Sequence, residues 1–125
     1  MSLEILVNIS IGELLDKISV LEIKKEKIGN KEKSNEINKE LITLKKICEE
    51  NLKGYEIWVK KLKEINLIVY DNIEKQWEKE KNREYDEKCI ELSRAVLINN
   101  DKRFQIKHEI NQFYGSQINE QKSYN

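Results

Sequence analysis

The stretch from Ile9 to Gly29 constrains the fold of this chain more than any other. Ser10 and Glu13 stand three apart just ahead of an apolar run. That is the pattern of a capping box, in which each side chain satisfies a backbone N–H left unpaired by a helix start. Ile9 and Leu14 occupy the positions of a hydrophobic staple across the same start. Ile11, Leu14, Leu15, Ile18, Leu21 and Ile28 then fall at spacings that gather them on one broad helical stripe. Gly29 follows the last of them, where a left-handed C-terminal cap is expected. The spacing predicts a helix over this stretch.

That helix has a second apolar side. Val20 and Ile23 lie opposite the main stripe, beside Gly12 and Asp16. A helix on the surface of a monomer is polar there, so either the helix is central or a partner covers its back. Gly12, lacking a Cβ, lets another backbone come close. Glu22 and Lys25 intrude on the main stripe three residues apart, where they snorkel at its edge or pair with each other.

The rest of the chain continues in the same period. A second helix is expected from about Ser34 to Leu52, burying Ile37, Leu41, Leu44, Cys48 and Leu52, with Gly54 marking its end or a kink. A third runs from about Tyr55 to Glu80, lined by Tyr55, Trp58, Leu62, Ile65, Val69, Ile73 and Trp77. Its roughly 26 residues span about 39 Å, more than the width of a compact domain of this length. Ile57, Leu67 and Ile68 again form an opposite apolar strip. A fourth helix, from about Tyr85 to Ile98, buries Tyr85, Cys89, Leu92 and Val96. Asn99-Asn100-Asp101 is read as a stop and a new cap, opening a fifth helix from Lys102 to Tyr114 with Ile106, Ile110 and Phe113 inside. The expected fold is all-α: an elongated antiparallel helical bundle of four to five helices, one domain over residues 1–125.

Composition narrows the function classes. Lys and Arg number 23 and so do Asp and Glu. A chain without net charge is a poor match for nucleic acid, whose phosphates call for a basic surface. Lys24-Lys25-Lys27, Lys45-Lys46 and Lys60-Lys61-Lys63 each have glutamates nearby and read as solvated helix faces. No apolar run approaches the ~20 residues of a membrane span, and the N-terminus lacks a secretory pattern. Cys48 and Cys89, far apart on apolar stripes, fit a reducing cytoplasm better than a disulfide scaffold. One histidine and two separated cysteines make no usual zinc site, and the isolated glycines make no phosphate loop. His108 is the only imidazole available as a base. No metal or cofactor is expected.

One face is less ordinary. Phe104, Lys107, His108 and Asn111 gather on the side of the last helix away from Ile106 and Ile110, with Arg103 beside them. Cation, amide and rings together can grip an anion or a sugar. The plainer reading is that Phe104 packs on a neighbouring helix while the polar groups bond between helices.

Ser10-Ile11-Gly12-Glu13-Leu14-Leu15-Asp16-Lys17-Ile18, continuing to Leu21-Glu22-Ile23-Lys24, resembles the opening signature of a functionally uncharacterised family of small bacterial and phage proteins. The resemblance runs on through Asn66, Leu92 to Val96, Asn100 to Phe104, Lys107 to Asn111 and Gly115-Ser116. It closes at Glu120-Gln121-Lys122-Ser123-Tyr124. Where that family usually has a tryptophan in the third helix, this chain has Val69-Tyr70. The resemblance implies no activity. It does imply that the tail 116–125 docks, with Tyr124 as anchor, and that Glu13, Asp16, Lys17, Lys24, Asn66, Arg94, Arg103, Lys107, Asn111, Lys122 and Ser123 form a network or a site.

Three functions compete. The first is a non-enzymatic helical interaction module acting as a homodimer, which leans away from catalysis. The second is an accessory factor in surface-polysaccharide biosynthesis that binds a sugar or sugar nucleotide. The third is a small all-α enzyme acting on an anionic metabolite, by analogy of fold alone. A ligand site in either of the last two draws on Arg94, Arg103, Lys107, Asn111 and Lys122. Their convergence on one concave pocket favours a ligand; their burial in ion pairs favours the module.

Overall fold

The computed structural model describes residues 2–119 and 121. Four helices account for the secondary structure of these residues: α1 (Ile11–Lys27), α2 (Lys31–Asn51), α3 (Tyr55–Lys81) and α4 (Glu87–Tyr114). The fold is all-α, with no strand among the described residues.

α1 begins as its cap dictates. Ser10 Oγ accepts the Glu13 backbone N–H at 3.1 Å. The Glu13 carboxylate reaches away to Lys107 instead of back to Ser10, so half of the expected box is replaced by a contact between helices. Ile9 is exposed and does not staple the start. The end of α1 also differs. Ile28, in extended conformation, is the C-cap, and Gly29 is not left-handed. The loop is too short for a left-handed cap followed by a turn, because Asn30 already caps α2. Its Oδ1 accepts the N–H groups of Glu32 and Lys33 at 2.9 and 3.1 Å, which starts α2 three residues before Ser34.

The fourth and fifth helices are one. Asn99 turns its amide onto the Ala95 carbonyl of its own helix at 2.8 Å, and the Asp101 carboxylate accepts from Gln105 at 2.9 Å. Both side chains act within a turn of helix, and the backbone runs through unbroken. The break falls earlier. Arg83 adopts a left-handed φ of 53°, the Arg83 and Glu84 N–H groups return to the Glu80 and Lys79 carbonyls, and Asp86 caps α4.

α1 is the central helix, touching α2, α3 and α4. Leu15, Ile18 and Leu21 meet Leu41, Cys48 and Leu52 of the α2 side, Tyr55, Val59 and Leu62 of α3, and Ile110 of α4 in one core. Ile23, on the strip opposite the main stripe, is buried within the chain. Two apolar sides on α1 therefore mark a helix surrounded by its own neighbours, and Ile23 gives no argument for a partner.

α3 and α4 form a long antiparallel hairpin. Trp58 lies 5.6 Å from Phe113 at one end, and Gln76 bonds to Ser93 at 3.0 Å toward the other. At 27 and 28 residues these helices are about 40 Å long, whereas the 17 residues of α1 span about 25 Å. Polar and ring contacts of α1 reach α3 at Lys63, Asn66 and Tyr70, and α4 at Arg103, Lys107 and Asn111. Beyond them the hairpin continues as a two-helix arm. Between Val69 and Lys107, Leu92 alone is buried. Ile73 and Trp77 continue, by helical spacing from Asn66 and Tyr70, the side of α3 that α1 covers lower down, and Trp77 is 63% exposed. Tyr85 and Phe113, expected inside, are also exposed.

Candidate functional site

The polar residues singled out by sequence come together where α1 crosses the hairpin. Gly12, Asp16 and Ser19 follow one another at spacings of four and three on one side of α1. Arg103, Lys107 and Asn111 do the same on α4 at spacings of four. Asn66 adds one amide from α3.

Asp16 is the hub, 3% exposed. Arg103 grips it with a guanidinium fork: Nε donates to Oδ1 at 2.9 Å and Nη2 donates to Oδ2. Asn66 Nδ2 donates to the same Oδ1 at 2.9 Å and to Ser19 Oγ at 2.8 Å. The Ser19 hydroxyl donates to the Asp16 carbonyl at 2.7 Å. One turn along α4, Lys107 Nζ donates to Glu13 at 2.6 Å. One turn further, Asn111 Oδ1 accepts the Gly12 N–H at 2.7 Å, one of the donors left open by the start of α1. Ser116 Oγ accepts the Ile11 N–H at 3.2 Å.

The arrangement is stable for a definite reason. A buried carboxylate is costly unless paired and hydrogen-bonded, and Asp16 has both a bidentate cation and an amide. No buried side-chain nitrogen or oxygen lacks a partner among the described residues. The geometry fastens α1 to α3 and α4 at one register.

Of the five residues expected to hold a ligand, three are in this network: Arg103, Lys107 and Asn111. Each turns toward α1. Arg94 is exposed nine residues back along α4, about 13 Å away by helical rise. Lys122 lies outside the described residues, as do Ser123 and Tyr124, on which the expected docking of the tail falls. Lys17 pairs with Glu40 at 3.4 Å, and Lys24 is exposed. Glu22 and Lys25 do not pair with each other: Glu22 meets Lys45 and Lys63, and Lys25 bonds to Asn38. Ser19 and Ser116 were not among the expected residues. Ser19 was legible, since it shares the face of Gly12, Asp16 and Ile23; Ser116 acts through a contact 105 residues away.

A groove lies elsewhere, between the C-terminal half of α1 and the N-terminal half of α2. Leu21, Ile28, Ile37 and Tyr70 give it an apolar floor; Lys24, Lys27 and Lys33 alternate with Glu32, Glu36 and Glu40 around it. Three charges of each sign select neither an anion nor a cation, and Arg94, Arg103, Lys107 and Asn111 do not line it. Lys27 sits over the Tyr70 ring, 5.4 Å from its centre. No group of three or more potential metal ligands occurs among the described residues. Burial, reinforced by Glu49 and Glu56, pushes the Cys48 thiol up to about 11, which keeps it protonated and unreactive. His108 is exposed and stacks on Phe104 at 6.4 Å. No described helix is long and apolar enough to cross a membrane.

No family model, curated protein or solved structure matches the chain.

Proposed function

We propose that this chain is a non-enzymatic helical interaction module that acts as a homodimer. The observation that carries the reading is the arm. From Tyr70 to Lys102 two helices stand together with Leu92 as their one buried residue, while Ile73, Trp77, Ile90, Leu97 and Ile98 remain accessible. Two helices bury too little between them to leave such a surface bare without reason, and extended apolar patches on soluble chains mark interaction sites. The state of Arg103 and Lys107 supports the same reading: their charges are turned onto Asp16 and Glu13 and hold α1 in register.

The test is mass in solution. Static light scattering at micromolar concentration is expected to give twice the 14.9 kDa of one chain. A thermal-shift screen against nucleotides, sugar nucleotides and metabolite anions is expected to leave the melting temperature unchanged, because only a ligand that binds the native state raises it. A monomer with a ligand-dependent rise would overturn the module in favour of a binding protein or enzyme.

A further inference from the structure

Resting on the homodimer reading, we infer that two copies join arm to arm. Each lays the face that α1 leaves bare, Ile73 and Trp77 of α3 with Ile90 and Leu97 of α4, antiparallel on the same face of the other. This face continues the one that α1 covers. Asn66 bonds to Asp16 and Tyr70 lies under Lys27, and Ile73 and Trp77 follow them seven residues on. Asn111 takes the Gly12 N–H, and steps of seven back along α4 lead through Phe104 to Leu97 and Ile90. Steps of seven keep to one side of a helix in a packed pair. α1 ends at Lys27, over the Tyr70 ring, so the apolar lines outrun their cover. Beyond it Ile73 is 39%, Trp77 63%, Ile90 61% and Leu97 71% exposed.

The register of the hairpin selects the occupant. The bond from Gln76 to Ser93 sets Trp77 level with Ser93, to within about one residue's rise. The midpoint between Ile90 and Leu97 falls at that level too, between Ser93 and Arg94. Glu74 and Lys81, on the outer edge of the face, have theirs between Trp77 and Glu78. One two-fold axis across the arm at Trp77 therefore serves all three. Trp77 meets the partner's Trp77, Leu97 meets the partner's Ile90, and Glu74 meets the partner's Lys81. The last two contacts each occur twice, as an isologous interface requires. Glu74 and Lys81 are exposed, and among the described residues neither is held in an ion pair. Ser93, on the axis, is small enough for the two α4 helices to close there. A parallel pairing is blocked, because it brings the two α1 helices, which stand on this same face below the arm, into one place. An unrelated helix has no reason to carry matching charges about the level of Trp77; a second copy carries them in both halves.

Sedimentation equilibrium of the full chain tests the surface. Trp77→Ala is expected to raise the dimer dissociation constant roughly tenfold or more, as loss of a central aromatic anchor does. Glu74→Lys is expected to raise it several-fold, and Glu74→Lys with Lys81→Glu to return it to about the native value, since the charges are exchanged and not removed. A cross-link tests the register. In a Cys89→Ser background, chains with Ile90→Cys and chains with Leu97→Cys are expected to form a disulfide-linked heterodimer when mixed and oxidised, and little of either homodimer. The antiparallel register sets one position against the other and neither against itself. All the substituted arm positions but Cys89 are exposed, and circular dichroism confirms the fold of each variant. If Trp77→Ala does not fold, the cross-link decides. A native chain that is monomeric throughout removes the homodimer and this surface together. A native dimer whose dissociation constant is unmoved in folded Trp77→Ala, or whose mixed cysteine chains give no heterodimer, leaves the homodimer standing and removes this surface alone.

Discussion

The backbone of Gly12 lies so close to Lys107 that a Cβ at position 12 would sit 2.6 Å from the Lys107 carbonyl oxygen and 3.0 Å from the Lys107 Cβ. The approach lets the Gly12 N–H reach Asn111 at 2.7 Å and brings Lys107 over Glu13. A helix start and the last turns of another helix, 99 residues apart, are joined through a missing methyl group.

Gly12→Ala is therefore expected to destabilise the chain although alanine is the better helix former. Propensity gains about 1 kcal/mol. Forcing a Cβ against a backbone carbonyl costs more, because the helix as a whole must move, and the bond to Asn111 lengthens with it. A net loss of roughly 2 kcal/mol should appear in urea unfolding. A variant as stable as the native chain would show that the two helices part at no cost.

Arg103→Ala leaves the Asp16 carboxylate buried with only the Asn66 amide. Breaking a buried pair costs about 3–5 kcal/mol, and the partial exposure of Arg103 places the expected loss near the lower figure. Replacing Asp16 and Arg103 together by apolar residues should cost less than Arg103→Ala alone, because no charge is then stranded. A double-mutant cycle measures the coupling. Loss of stability with intact dimerisation would keep Arg103 in the framework and out of any ligand site.

Much of this was legible in the sequence, and the remainder shows which signals are local. The start of α1, the buried line of α2, the extent of α3 and the role of Gly12 follow from spacing and cap chemistry alone. Asn99-Asn100-Asp101 misled because its side chains suit both a cap and a helix interior, and only packing of α4 along an unbroken α3 decides between them. Trp77 and Tyr85 were expected inside because periodicity says which residues share a side, not how far a covering helix extends. The same limit applied to the polar residues. Their faces were readable on each helix; that Arg103 reaches Asp16 across 87 positions was not.

Ser10→Ala removes an oxygen that accepts from Glu13 at 3.1 Å in a buried setting. The loss expected is roughly 1 kcal/mol, typical of an N-cap. Glu13→Gln should not add to it through the cap, because the Glu13 carboxylate serves Lys107 and not the Ser10 N–H. It should instead weaken the Lys107 contact, so the two changes are expected to be nearly additive in thermal unfolding.

The turn between α3 and α4 supplies a test by pH. Lys79 Nζ donates to Asp86 at 2.9 Å and to Glu84 at 3.0 Å, while the other oxygen of Asp86 accepts the Cys89 N–H at 3.2 Å. The hydrogen bond from Lys79, helped by the Cys89 N–H, holds the Asp86 carboxyl below its ordinary value, and the same two carboxylates raise the Lys79 ammonium above its own. The signs follow from linkage. Asp86 binds protons less readily folded than unfolded, so its contribution is present above the unfolded value of about 4 and is lost as pH falls through the lower folded one. Lys79 binds its proton more tightly when folded, so its contribution is complete below about 10 and is lost as pH rises through the higher folded value. Between these limits the turn is insensitive to pH. Carboxyl NMR titration should place the Asp86 midpoint below that of an unfolded aspartate, and Lys79→Met should move it upward while the Cys89 amide exchanges faster. A midpoint that ignores Lys79→Met would mean that the ammonium does not hold the turn in solution, and that Asp86 acts through the cap of α4 alone.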